Sequence, residues 1–304
     1  MSGIVIAGYS DVGFRCAKWL LDSGEPVRLV YTHPDAPGET RWWDSLAELA
    51  AQRGVPVRLV ESLDDPAEAE RVRAIAPEFL FSFYFRKMIP AAILAIPTKG
   101  ALNMHGSLLP RYRGRAPVNW AILNGETETG ASLHYMVEKP DAGDLVDQLA
   151  VAIGPDDDAL AVSRRVSDAA VAVLARSWPR LKAGTAPRVP LDLSQGKYYG
   201  GRKPEDGVVD WALPAKQVHD LVRAVAPPWP GATTDVFGSS VTILKTRLGA
   251  YGGHDTFPGK VEPTEGSVIV YCGDDRPIEI LAARPAGHAP MDAGQFKIWL
   301  LRRG

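Results

Sequence analysis

Asn103, His105 and Asp141 are the residues of this chain whose types and spacing could carry acyl-transfer chemistry. Asn103 and His105 open the stretch Leu102 to Trp120, read as LNMHGSLLPRYRGRAPVNW, and Asp141 opens a later Asp-Ala-Gly-Asp run that ends at Asp144. Two residues that are two apart on a strand project from the same face. An imidazole titrates near pH 6.5, and a neighbouring carboxylate raises that value and favours the cation. An imidazolium beside an amide could steady the oxyanion of a tetrahedral intermediate, worth about 10²–10³ in rate per donor. After proton transfer the same ring could serve a leaving amine, worth roughly 10²–10⁴. Taken by itself, a His105–Asp141 contact reads more readily as a structural hydrogen bond.

Other groups have narrower readings. Arg111, Arg113 and Arg115 alternate just before a helix start, where guanidinium forks and helix N-termini suit phosphate or carboxylate; a solvated face is the alternative. Ser107 lacks a G-x-S-x-G context, so a backbone role in its Leu-Leu-Pro turn is expected. His134 sits inside an apolar strand and reads as a core histidine. His33, His219, His254 and His288 have no neighbours at metal-ligand spacing, so no metal is expected. Gly8 to Gly13 reads G-x-x-x-x-G at the first strand–helix turn. It lacks the middle glycine that lets backbone approach a pyrophosphate, so a structural turn is expected and a nicotinamide oxidoreductase is not.

The elements that must position these groups follow from periodicity. Ile4–Ala7, Val27–Tyr31, Val57–Val60, Phe79–Phe85 and Ala101–Met104 read as strands. Helical patterns separate them, the first starting at a Ser10 or Asp11 cap, then Asp44–Gln52, Pro66–Ala74 and Pro90–Ala95. Alternation of this kind predicts a mostly parallel α/β sheet, with Asn103 and His105 at a carboxyl strand end, where such sheets place ligands. Pro117–Leu123 reads as a helix, Ala131–Val137 and Leu145–Ile153 as paired strands around the Asp141 loop, and Leu160–Leu181 as a long helix. Residues 187–205 are rich in Gly and Pro and read as a linker between a catalytic domain (1–186) and a C-terminal domain (206–304). The latter has one helix, Ala215–Ala224, and several short strands, the pattern of a small OB-like β-barrel.

At 304 residues and 46% hydrophobic, the chain can bury two cores. Its formal net charge of −2 gives no long-range pull toward nucleic acid or anionic membranes. Two cysteines, Cys16 and Cys272, cannot make a disulfide framework. With neither a leader pattern nor a membrane-length apolar run, a cytoplasmic location is expected.

At the Leu102–Trp120 and Asp141–Asp144 motifs the chain resembles the formyltransferases that use 10-formyltetrahydrofolate. That family carries Asn-x-His-x-Ser-Leu-Leu-Pro followed by an Asp-x-Gly-Asp loop, and both occur here at matching separation. The likeness extends to Gly125–Gly130 and to Trp229–Ala232, and so over nearly the whole chain. It implies a Rossmann-like formyltransferase domain followed by the OB-like one. It also implies Asn103 as oxyanion stabiliser, His105 as proton carrier and Asp141 as the carboxylate that raises the pKa of His105. Lys87, Met88 and Ile89 would be the strand edge that holds the pterin of the folate. Arg115 and the segment Val137, Glu138, Lys139, Pro140 and Asp141 would be further folate contacts.

Two acceptors compete within the family. Its methionyl-tRNA members grip the acceptor stem with a basic loop after the second strand, whereas residues 32–43 hold Arg41 as their only Lys or Arg, against Asp35 and Glu39. Such a loop suits RNA poorly. By contrast, Phe81–Tyr84, Arg113–Trp120, Gly201–Pro204 and Val222–Val225 are similar to the formyltransferases of UDP-4-amino-4-deoxy-L-arabinose, which serve lipid A modification and polymyxin resistance. The expected partner is therefore a UDP-linked or dTDP-linked amino sugar. Asn119 and Arg202 are offered as nucleotide contacts. In the known bifunctional enzyme a decarboxylase follows the formyltransferase; here the chain ends at Gly304, so a decarboxylase would be a separate chain or the sugar would differ. The sequence does not specify an oligomeric state.

Overall fold

A computed structural model describes residues 3–35, 38–249 and 256–303. The chain forms two compact units, one of residues 1–117, 128–152 and 163–200, the other of residues 118–127, 153–162 and 201–304. Ala36 and Pro37 of the loop discussed above, and His254, lie outside the described residues.

In the first unit, apolar runs alternate with helices: β1 (Ile4–Gly8), α1 (Ser10–Asp22), β2 (Val27–Thr32), α2 (Leu46–Gln52), β3 (Val57–Leu59), α3 (Pro66–Ile75), β4 (Phe79–Phe83), α4 (Ala91–Leu94) and β5 (Gly100–His105). There follow β6 (Arg113–Gly114), α5 (Pro117–Leu123), β7 (Glu128–Tyr135), β8 (Leu145–Ala152), α6 (Ala159–Ala183) and β9 (Tyr198–Tyr199); α5 and α6 each cross from one unit to the other. Seven strands make one sheet, in the order β3-β2-β1-β4-β5-β7-β8. β1 to β5 pair in parallel, whereas β7 runs antiparallel to both β5 and β8. Every residue of β1 and β4 is buried, which is why both are almost wholly apolar, Ser82 apart, rather than alternating.

Helices begin where the sequence supplies caps. Ser45 accepts from the Glu48 amide ahead of α2, and Asp65 accepts from Ala67 ahead of α3, with Pro66 in its first turn. The first helix departs from expectation. Tyr9 occupies its N-cap without a side-chain bond, and Asp11 is instead turned inward to Arg15 at 2.8 Å. Gly13 is where this helix closes on the sheet: a Cβ there would stand 3.1 Å from the Phe83 carbonyl oxygen and from backbone of Gly8. Cys16 on the same helix is buried, and burial pushes its thiol pKa up.

The second unit contains α7 (Ala215–Ala224), β10 (Ala232–Val236), β11 (Ser239–Leu248), β12 (Val261–Pro263), β13 (Val268–Tyr271), β14 (Pro277–Pro285), β15 (Met291–Asp292) and α8 (Ala293–Leu301). Its antiparallel sheet runs β10-β11-β14-β13-β12, with β15 on β14, as expected for a small barrel-type domain. Val218, Leu221 and Val222 of α7 meet Val241, Ile243, Ile278 and Ile280 of the strands and Phe296 and Trp299 of α8. Cys272 is buried in that core, and burial pushes its thiol up to about 12. Among the described residues no helix is long and apolar enough to cross a membrane.

Candidate active site

β5 delivers Asn103 and His105 to its carboxyl end, and β7 pairs beside it with His134 opposite Asn103. The turn after β7 brings back Asp141, which holds the left-handed conformation at φ 49°. That conformation is tolerated by Asp better than by most residues, and it is a form of local strain that recurs at functional sites. Asp141 Oδ1 lies 3.6 Å from His105 Nδ1, 3.5 Å from His134 Nε2 and 3.3 Å from Asn103 Nδ2, which donates to it. Its other oxygen, Oδ2, accepts from the Gly114 amide at 2.8 Å. Gly114 has φ 100°, and a Cβ on it would overlap the Tyr199 carbonyl oxygen, so only glycine fits.

Burial by itself would raise the Asp141 pKa. The His105 ring and the Gly114 amide work against it, and the carboxyl is held far below its ordinary 3.8. The carboxylate is therefore a fixed negative charge on which two imidazoles and an amide converge. The remaining nitrogen of His105, Nε2, faces the Tyr112 carbonyl oxygen at 2.8 Å. Tyr112 is itself held: its ring stacks on Tyr199 at 5.0 Å, and Ser107 Oγ donates to Arg111 O at 2.6 Å. Ser132 Oγ donates to the Ser107 carbonyl at 2.6 Å and accepts from the Leu109 amide. Ser107 thus has the backbone role its sequence context implies.

The other expected residues are dispersed. β4 ends at Phe83, so Lys87, Met88 and Ile89 lie in the turn beyond it rather than along a strand edge. Ile89 is buried in the sheet core, while Lys87 and Met88 are exposed. Val137, Glu138 and Lys139 are exposed in the segment leading to Asp141, and Pro140 is half-buried. The three arginines do not share a face. Arg115 is exposed, but Arg113 is buried and donates to the carbonyls of Leu193 and Gly196, tying the stretch read as linker to β6. β9 in that stretch pairs with β6.

In the second unit, Asn119 is buried and its Nδ2 donates to the Ala224 carbonyl at 2.7 Å. Arg202 lies over the Trp120 ring at 4.9 Å and donates to Asp206 O; burial lowers its pKa. Its Nε is buried without a partner among the described residues. The charges at Asp35, Glu39 and Arg41 have local partners: Tyr9 Oη lies 3.1 Å from Asp35 Oδ1 and 2.9 Å from Glu39 Oε2, Arg41 pairs with Asp35 at 3.3 Å, and Arg86 pairs with Glu39. Among the described residues no group of three or more His, Cys, Asp or Glu is placed to hold a metal ion.

Sequence reasoning missed His134. It is buried, as a core histidine would be, but its Nε2 faces the carboxylate and the amide. The signal was the strand register that sets it opposite Asn103, which periodicity does not give. The Tyr112 carbonyl and Gly114 amide were equally hidden, because backbone groups have no residue-type signature.

Two matches and several solved structures bear on what such a site is for. Residues 26–177 match the family described as Formyl transferase, and residues 202–298 match Formyl transferase, C-terminal domain. The N-formyltransferase from Helicobacter canadensis, solved with folinic acid and dTDP-3-aminofucose, is similar at 19% identity and a TM-score of 0.73, over 92% of this chain and 99% of that one. WlaRD, a sugar 3N-formyl transferase solved with dTDP and 5-N-formyl-THF, gives 18% and 0.73 over 95% and 99%. HypX from Aquifex aeolicus, solved with tetrahydrofolic acid, gives 19% and 0.67 over 99% of this chain but 47% of that one. These likenesses show a shared fold. With both domain matches in chain order and spanning most of its length, the protein belongs to the formyl transferase family.

Proposed function

We propose that the protein transfers the formyl group of 10-formyltetrahydrofolate to the amine of a nucleotide-linked amino sugar in the cytoplasm, with UDP-4-amino-4-deoxy-L-arabinose as the acceptor. The observation that carries this reading is the convergence of Asn103, His105 and Asp141 at one carboxylate oxygen. The neutral amine attacks the formyl carbon and forms the new C–N bond. Asn103 and His105 steady the oxyanion, and the bond from carbon to the folate nitrogen then breaks. The proton lost by the amine ends on that nitrogen by way of His105, while Asp141 stabilises the imidazolium. Lys87, Met88, Ile89, Arg115 and Val137–Pro140 are assigned to the folate, and Arg202, with Asn119, to the nucleotide.

A sugar acceptor is favoured over RNA by residues 32–43, whose only Lys or Arg is already paired with Asp35. The neighbours solved with dTDP or dTDP-3-aminofucose also support a nucleotide-sugar acceptor. The test is a panel of UDP- and dTDP-amino sugars and charged initiator tRNA, assayed with the formyl-folate donor. Turnover with the arabinose derivative is expected. Faster formylation of a dTDP sugar would change the acceptor, rapid formylation of tRNA would move it to RNA, and no formylation of any acceptor would overturn the reading.

A further inference from the structure

His134 is a buried imidazole that the mechanism above does not use. Its Nδ1 is 2.8 Å from the Tyr135 carbonyl oxygen. A carbonyl oxygen only accepts, so Nδ1 carries the hydrogen. Its Nε2 is 3.2 Å from Asn103 Nδ2. The Asn103 amide cannot be flipped without loss, because its nitrogen also donates to Asp141 Oδ1 at 3.3 Å and an ionised carboxylate only accepts. Asn103 has a second N–H to present toward His134, and the ring nitrogen that receives it offers a lone pair; the same Nε2 lies farther, 3.5 Å, from Asp141 Oδ1. His105 is pinned the opposite way, with Nε2 on the Tyr112 carbonyl and Nδ1 toward Asp141.

We infer that His134 is a positioning residue for formyl transfer: a neutral imidazole with its hydrogen on Nδ1, whose Nε2 accepts from Asn103 and fixes the plane and direction of that amide. The inference rests on the proposed role of Asn103 as oxyanion stabiliser. It adds that the amide is oriented from two sides, by Asp141 and by His134. An amide held from one side alone can rotate, and a donor displaced from the developing charge loses most of its effect.

The first test is spectroscopic. Long-range ¹H–¹⁵N correlation on the ligand-free, ¹⁵N-histidine-labelled protein at neutral pH should give His134 a pyrrole-type Nδ1 and a pyridine-type Nε2. A pyrrole-type Nε2, or two protonated nitrogens, would overturn the assignment, since the ring would then donate to Asp141 rather than accept from Asn103. The second test compares two variants. In His134→Asn an amide can replace the bond to Tyr135 but leaves nothing at the Nε2 position. In His134→Gln a side-chain oxygen reaches that position and can accept. His134→Asn should lower kcat by at least about tenfold with KM for the formyl donor within about twofold, and His134→Gln should recover most of the loss. Equal losses in the two variants, or a change in KM alone, would overturn the positioning role. If the variants fail to fold, the spectroscopic test on the unaltered protein still decides. A protein with the expected His134 tautomer but no formyl transfer would sink the proposed function and leave the ring assignment standing.

Discussion

Asp141 concentrates the chemistry of the site in one side chain. It is half-buried, sits at φ 49°, takes hydrogen bonds or charge from Asn103, His105 and Gly114, and lies 3.5 Å from His134 Nε2. Removing its charge by Asp141→Asn, or the proton carrier by His105→Ala, should cut formyl-transfer turnover by at least ~10². Steady-state assays with near-normal turnover in both variants would refute the assigned roles. The same carboxylate gives a stability prediction. Its pKa in the folded state lies below the ordinary 3.8, so below that pH the unfolded chain binds the extra proton first. Its contribution to stability is complete above about pH 5 and is lost as pH falls toward the folded value. Urea titrations from pH 6 to pH 3 should therefore show a shallower acid decline for Asp141→Asn than for the unaltered protein. At this scale the residue types of Asn103, His105 and Asp141 were legible in the sequence. The partner that sequence reasoning misread, His134, was visible as a residue but not as a neighbour.

Single elements set how firmly those residues are held. β6 is only two residues long, yet it supplies the Gly114 amide to Asp141 and pairs with β9, whose Tyr199 stacks on the ring of Tyr112. Gly114→Ala places a Cβ against the Tyr199 carbonyl at a backbone angle that L-residues avoid, and should cost about 1–3 kcal/mol. Thermal denaturation should show a lowered Tm, and turnover should fall in the surviving folded fraction. A variant with unchanged Tm would show that β6 can shift without strain. The sequence placed α7 and the longer elements of the first unit to within a few residues, since their apolar periods and caps are local properties, but it expected one helix in the C-terminal domain and missed α8. It could not show β6 and β9. A two-residue strand has no period, and its existence depends on a partner found far along the chain.

At the scale of the whole molecule, near-neutral charge and the pairing of Arg41 with Asp35 argue against phosphate-backbone recognition. A protein gripping RNA through six to ten phosphates loses about 10³–10⁵ in affinity between 50 and 200 mM salt. For the amino-sugar acceptor, kcat/KM should fall by less than about tenfold over that range; a steeper fall in initial-rate assays would point back to a polyanionic acceptor. The sequence by itself determined the family, the mostly parallel sheet, a small barrel-type C-terminal domain and the three residues on which the proposed chemistry rests. Those features are written in residue type and in short periods along the chain. The tertiary structure alone decided that Arg113 turns inward, that Asp11 pairs with Arg15 rather than capping α1, and that His134, the Tyr112 carbonyl and the Gly114 amide surround the site. The reason is physical. Strand register and backbone hydrogen bonding arise between segments distant in sequence, and no local pattern of side chains records which of them will meet.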